Sequence, residues 1–257
     1  NKTDKNDAQG LAQIMRCNWY KEVTIKSFEN HESRALFRTR SNLVSMRTDV
    51  VNQIRGMLKT FGILIKGIAG VSFENRVQEI IADRTALAAP LQVQLDLLRV
   101  IKQKIDDLDE LVLDHAYASQ DCRVLMTIPG VGAMTAANFV LAVYDAERFK
   151  TPKSVGAYFG LTPRRRQSGE MDYNGRISKR GDRVIRHQLY EAANSILTRV
   201  KKPSSLQAWG LRIAKRSGMK KARIAVARKL AVIMHQMLQT GELFCFNHAT
   251  GERAIYA

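Results

Sequence analysis

The sequence predicts a mostly α-helical protein. Two observations carry that prediction. Leu36, Leu43, Val50 and Met57 recur every seven residues, and Leu91, Leu98, Ile105 and Val112 do the same. Against these long helical patterns, the short segment 22–26 alternates in the manner of a strand. The 257 residues are 45% apolar and 25% charged, enough to bury a core without disulfide staples. At roughly 100–200 residues per domain, one or two domains with connecting helices are expected.

The first region, residues 1–30, opens with a helical pattern over 7–15 despite Gly10. Thr3 is placed to cap its start. Residues 22–26 follow as a short strand or an extended linker.

The second region, residues 31–120, reads as long helices. Val44, Val51 and Leu58 lie beside the first heptad series, and Ile54 and Phe61 complete its stripe. This gives an amphipathic helix of about 30 residues. Gly62, Gly67 and Gly70 then break it. A second stretch begins near Phe73 and is expected to be interrupted around Pro90. The Leu91 series follows, with Ile101 and Leu108 between its members. Two such stripes predict a long antiparallel coiled-coil arm, or else an ordinary bundle. Either is a spacer or a surface for self-association.

The third region, residues 121–241, is compact, with helices expected over 153–159, 179–200, 204–216 and 221–238. The tail, 242–257, is expected to be poorly packed from Phe244 onward.

Charge narrows the function. The net charge is +17, and residues 163–229 alone hold 19 basic and 4 acidic residues. Residues 1–120 hold 17 and 15. A concentrated basic block implies a polyanionic partner, with nucleic acid ahead of an anionic membrane surface. No run of about 18 apolar residues exists, so no transmembrane helix is expected. The first residues form no signal peptide and no initiator Met is present, so a processed product or a fragment is expected. Cys17, Cys122 and Cys245 are far apart and read as reduced thiols of a cytoplasmic protein. His115 falls on an apolar stripe, where packing is the natural role.

Four segments could carry chemistry. In Ile128-Pro129-Gly130-Val131-Gly132, followed by small residues, Gly130 and Gly132 would let backbone N–H groups approach a phosphate beside a helix N-terminus. This looks like the turn of a helix-hairpin-helix element, and a tight turn without ligand is the alternative. In residues 160–169, Arg164, Arg165 and Arg166 stand near Ser168, with Gly169 allowing an exposed turn. Guanidinium groups there could stabilise charge on an attacked phosphate, although no general base is visible and a plain loop serine is the alternative. Ser178, near Arg176, Lys179 and Arg180, sits where it could cap a helix. Asp4 and Asp7, three residues apart, would share a helix face and could hold Mg²⁺. Alone they are an ordinary polar helix start.

Together these segments resemble the DEDD transposases of insertion sequences. That family includes the Piv-type DNA invertases and the bridge-RNA-guided serine recombinases of the "IS one-ten" group. Residues 2–8 resemble the segment bearing the third and fourth acidic residues of its RuvC-like site. The stretch from Arg34 to Val44, ending at Gly62, resembles its coiled-coil arm. Ile128 to Gly132, Phe149-Lys150, Gly160-Leu161-Thr162-Pro163, Ser168-Gly169 and Ile177-Ser178-Lys179-Arg180-Gly181 resemble, in order, its C-terminal transposase domain.

The resemblance implies residual RNase H/RuvC-like structure in 1–30, an arm in 31–120 and a helical DNA-binding domain in 121–241. It implies strand cleavage and rejoining through a covalent phosphoserine, with Ser168 as nucleophile and Ser178 as fallback. Asp4 and Asp7 become Mg²⁺ ligands. Arg164, Arg165, Arg166, Arg176, Lys179 and Arg180 become phosphate contacts, with Gly130 and Gly132 in the turn. DNA, a structured guide RNA and further copies of the chain, through the arm, are the implied partners. The implied setting is the bacterial cytoplasm, at the nucleoid. The family's first Asp and its Glu lie upstream of the matched segment, so an N-terminally truncated chain with an incomplete acidic site is expected. The alternatives are a catalytically inactive DNA- or RNA-binding fragment and a structural DNA-bridging protein.

Overall fold

The computed structural model describes residues 3–20, 22–67, 69–247 and 249–254. Of the segment resembling the acidic site, Lys2 lies outside these. The chain is mostly α, as its periodicities require.

Helix α1 (Asp4–Arg16) starts where Thr3 caps it, with the Asn6 N–H donating to Thr3 Oγ1 at 3.3 Å. It buries no residue, and Leu11 and Met15 are exposed. Residues 22–27 form an extended linker, not a strand. The linker's backbone finds no partner strand, and side chains anchor it instead. The Lys26 ammonium donates to the Leu141 and Ala142 carbonyls, and the Ser27 N–H donates to Tyr144 Oη at 3.2 Å.

Helix α2 (Phe28–Thr60) runs antiparallel to α4 (Thr85–Ala118). The Phe37 ring meets His115 edge-on at 5.6 Å, and Arg40 pairs with Asp109. His115 is thus a packing residue. Val50, Ile54 and Leu58 face Leu91, Leu95 and Leu98 within one buried cluster. Helix α3 (Val71–Asp83) adds Phe73, Val77 and Ile80 to the same core, and Lys102 holds Glu74 at 2.6 Å. The arm is therefore three-helical over its outer part rather than a plain pair.

Two expectations fail here. Pro90 does not interrupt the helix; it lies inside α4, where the Ala86 carbonyl loses its donor. The break falls instead at Arg84, between α3 and α4. Phe61, expected on the buried stripe, is the C-cap of α2 and half exposed.

The remaining helices form a second core. They are α5 (Gln120–Met126), α6 (Ala133–Val143), α7 (Pro152–Tyr158), α8 (Arg183–Thr198), α9 (Ser205–Ser217) and α10 (Met219–Thr240). Helix α10 is central and packs on α5, α7, α8 and α9. Leu125, Ile128, Phe139, Phe159, Leu189 and Leu230 are buried there. Phe37, Val112 and Ala116 belong to this core too, so α2 and α4 run from the arm into the body.

Between α7 and α8 stands a hairpin that the helical reading did not contain: β1 (Pro163–Ser168) and β2 (Met171–Ile177), antiparallel. The tail also departs from expectation. Phe244 and Phe246 are buried, β3 (Cys245–Asn247) pairs with β4 (Glu252–Arg253), and the Phe244 N–H donates to Thr127 Oγ1 at 3.1 Å. Two phenylalanines at period two supply an apolar strand face that covers the body core. The three cysteines are free thiols. Among the described residues no helix is long and apolar enough to cross a membrane.

Candidate nucleic-acid interface

The β1–β2 hairpin carries most of the singled-out cations. Every residue of β1 is exposed, and so are residues 171–176 of β2. An isolated two-stranded ribbon is marginal in water, so its base decides its position. There the Ser178 N–H donates to the Thr162 carbonyl at 2.8 Å and the Lys179 N–H to the Gly160 carbonyl at 3.1 Å. Arg186 of α8 spans the crossing, donating to the Phe159 carbonyl at 3.1 Å and the Arg180 carbonyl at 3.0 Å. Segments 160–163 and 177–181, separate in the sequence, thus form one neck.

Ser168 ends β1 opposite Met171, across a two-residue turn in which Gly169 has φ +55°. Glycine suits that first turn position because a side chain resists positive φ. Alternation puts Arg166 and Ser168 on one face and Arg165 and Gln167 on the other, while the register breaks between Pro163 and Arg165, next to the neck. Arg166 donates to Tyr173 Oη at 3.3 Å, and Arg164 to the Ser178 carbonyl at 3.2 Å. Arg165 is clasped on the opposite face by Asp172 through two hydrogen bonds, at 2.8 and 2.6 Å. That guanidinium holds the Asp172 carboxyl below its ordinary range. Ser168 Oγ makes no hydrogen bond among the described residues, and the residue is exposed at the tip of the hairpin.

Ser178 sits at the neck, half-buried, with its Oγ 3.5 Å from the Arg180 N–H. It does not cap α8. Asp182 does, accepting from the Val184 N–H at 2.8 Å and the Ile185 N–H at 3.3 Å. A carboxylate at a helix N-terminus also meets the positive end of its dipole, which a hydroxyl does less well. Asp182 further pairs with Arg34 of α2 at 3.5 Å, tying the arm to the body beside the neck. Arg176 lies on β2, and Lys179 and Arg180 in the neck, all exposed.

Gly130 has φ +88°, and a Cβ there would come 3.2 Å from the Ala192 carbonyl oxygen and Ser195 Cβ. Its lack of a side chain therefore serves close packing on α8. Gly132 is the N-cap of α6, with no side-chain cap and open space around it. Asp4 and Asp7 lie in the first turn of α1, exposed, and no hydrogen bond or ion pair links them to Ser168 or Ser178. Among the described residues no group of three or more His, Cys, Asp or Glu is placed to hold a metal. Two carboxylates still suit Mg²⁺, a hard ion that commonly takes one or two of them and completes its shell with water and phosphate oxygens.

Sequence reasoning missed the clamp residues Asp182 and Arg186. The pattern Gly-Asp-Arg before an apolar helix was the available sign of a cap. It also missed a face of α10 on which Lys221, Ile224, Arg228, Lys229 and Val232 recur at helical spacing beside the hairpin base.

Two family models match the chain. One, described as "Transposase IS116/IS110/IS902 family", covers residues 122–209, the α5-to-α9 body with the hairpin. The other, a DEDD transposase model of the IS110 type, covers residues 1–63, from α1 to the end of α2. The transposase for insertion sequence element IS1111A of Coxiella burnetii is 31% identical over 95% of this chain and 68% of its own length. The chain belongs to the IS110 family of DEDD transposases. A probable family 20 transposase of Pseudomonas aeruginosa is 27% identical over 92% of the chain and 72% of its own length. The pilin gene-inverting protein of Moraxella bovis is 28% identical over 47% of the chain and 38% of its own length. This IS110-family chain thus spans about two thirds of the two transposases, and its likeness to the inverting protein covers about half of it.

Proposed function

We propose that this IS110-family chain cleaves and rejoins DNA strands with Ser168 as the nucleophile. The observation that carries this reading is the placement of Ser168 at the exposed end of an arginine-bearing hairpin, on the face of Arg166. A duplex backbone reaching that tip meets the Arg166 guanidinium, which neutralises the phosphate and charge building on it in the transition state. Ser168 Oγ forms a bond to phosphorus, the bond from phosphorus to one sugar oxygen breaks, and that oxygen leaves with a proton as a hydroxyl. The phosphate stays esterified to serine. A hydroxyl from another strand then attacks phosphorus and returns the proton to Ser168, so no nucleoside triphosphate is consumed. Ser178, half-buried in the neck, is the fallback nucleophile.

Asp4 and Asp7 are the residues that would hold Mg²⁺, whose role is Lewis-acid stabilisation of the transferring phosphate. They face solvent on a helix whose apolar side is uncovered, which fits a segment that completes its site with carboxylates from elsewhere. Lys179, Arg180, Arg176 and Arg165 surround the neck and hairpin as backbone contacts, and Gly132 opens the N-terminus of α6 towards solvent. Such contacts position a duplex without reading its sequence. The family likeness supplies the idea that a structured RNA chooses the target, and the basic block suits a second polyanion. Residues 1–30, 31–120 and 121–241 would serve as catalytic remnant, arm and DNA-binding domain. On the arm, Val93, Leu97 and Val100 form an exposed apolar stripe at helical spacing along α4, the surface proposed for self-association.

The second reading is a DNA-binding fragment without catalysis. It is favoured by the acidic pair having no third ligand among the described residues. Replacement of Ser168 by Ala, in the full open reading frame, separates the two. The first reading expects loss of a covalent DNA adduct with binding within about twofold of the parent. An adduct that survives Ser168→Ala contradicts it.

A further inference from the structure

Below the hairpin, a groove of about 850 Å³ opens between its base and one face of α10. Ile177, Trp209 and Ile224 give it an apolar floor, and Arg176, Lys221 and Arg228 stand at its edge with no carboxylate in the lining. Trp209 of α9 is half-buried, and the Lys229 ammonium lies 4.8 Å from the centre of its ring. An occupant must therefore offer a flat apolar face and negative charge together. A nucleotide does both: the base stacks on the indole while its phosphates meet the cations. A paired base keeps its faces buried in the duplex stack, so the nucleotide must be unpaired.

We propose that this groove binds an unpaired stretch of DNA strand, with one base stacked on Trp209. The inference rests on the reading of the hairpin as a DNA contact, since groove and hairpin share Arg176 and Ile177. Strand cleavage and exchange create unpaired DNA, and the groove offers a place to hold it at the base of the same hairpin. Lys229 swings off the ring when the base arrives. Its flexible stem permits that, and a phosphate replaces the indole as partner of its ammonium.

The chain has two tryptophans, Trp19 and Trp209, so Trp19→Phe leaves emission from Trp209 alone. Titrating that full-length variant with a 12-nucleotide oligothymidine is expected to quench its fluorescence saturably. Trp209→Ala is expected to weaken oligothymidine binding about tenfold while duplex affinity stays within about threefold. Because the quench is read with the groove intact, the proposal does not depend on how well the alanine variant folds. Duplex binding without any quench by oligothymidine overturns the groove and leaves the hairpin reading standing. Failure to bind either DNA overturns both. A tighter, equally quenching oligouridine overturns the assignment to DNA. Equal quenching by oligoglutamate, which has charge but no base, overturns the assignment to a nucleotide.

Discussion

Gly160 and Gly181 lock the neck of the β1–β2 hairpin. A Cβ on Gly160 would sit 2.1 Å from the carbonyl oxygen of Arg180, the residue before Gly181. A Cβ on Gly181 would sit 2.0 Å from the carbonyl oxygen of Tyr158, two residues before Gly160. Both glycines also have positive φ, +67° and +77°. Backbone meets backbone here, so no side-chain rearrangement relieves the contact. The hairpin that carries Ser168 is aimed by this crossing.

Gly160→Ala or Gly181→Ala is therefore expected to cost about 2 kcal/mol or more, from strain at positive φ plus the clash. Urea unfolding measures the loss. The hairpin amides should lose hydrogen-exchange protection first, and DNA affinity should fall with them. Gly62→Ala, also at positive φ but with open space around it, should leave the hairpin amides unchanged.

The arginines of the hairpin should not be equal. Arg165 already has Asp172 as a bidentate partner, whereas Arg166 has only a phenol oxygen. Arg166→Ala should weaken DNA binding more than Arg165→Ala. It should also reduce the slope of log affinity against log salt by about 1, the signature of one lost phosphate contact. Equal losses at the two positions would contradict the assignment of Asp172 as a competitor for Arg165.

Lys26 makes the linker's attachment pH-dependent. Burial, then the charges of Arg34 and Arg148, lower its ammonium to about 8, against the pull of Asp182. The folded chain thus releases this proton before the unfolded chain does. Between about pH 8 and the ordinary lysine value of 10.5, the unfolded state holds more protons, and this group's contribution to stability rises with pH. Below pH 8 the penalty on the charged form is constant. The stability of the parent minus that of Lys26→Met should increase across that window, and a flat difference would refute the shift.

The arm separates core from contact surface. Ile54 is fully buried, so Ile54→Ala should cost about 2–5 kcal/mol. Val93, Leu97 and Val100 are exposed. Replacing Leu97 and Val100 by Lys should leave the unfolding midpoint nearly unchanged yet lower the mass measured by light scattering. An unchanged mass would remove the arm as the site of self-association.

Much of this architecture was legible in the sequence, for physical reasons that differ by element. The heptad stripes of α2 and α4 announce their helices because burying one side of a helix leaves a period near 3.5. Thr3 reads as a cap because its hydroxyl precedes the first periodic residue. The hairpin leaves no such trace: Pro163–Ser168 is wholly exposed, so nothing forces apolar alternation on it. Only Gly169 marked the turn. Phe244 and Phe246 did alternate, and their pairing with the body was missed because the strands are two and three residues long. Among the candidate site residues, Ser168 and its arginines were found together because they are adjacent in the chain. The neck, the Arg34–Asp182 tie and the Trp209 groove join distant segments, and no local pattern encodes those meetings. Pro90 misled because α4 runs on through it, at the loss of one backbone hydrogen bond to the Ala86 carbonyl.

Ser168 as nucleophile is tested by trapping the protein–DNA adduct and sequencing the modified peptide. The full open reading frame would be incubated with element-end DNA and Mg²⁺, digested with nuclease and protease, and read by mass spectrometry. A nucleotide phosphate esterified to Ser168 is expected, in a peptide bounded by Arg166 and Arg176. A phosphate on Ser178 would move the chemistry to the neck, and DNA cut with no serine ester at either position would contradict a serine nucleophile altogether.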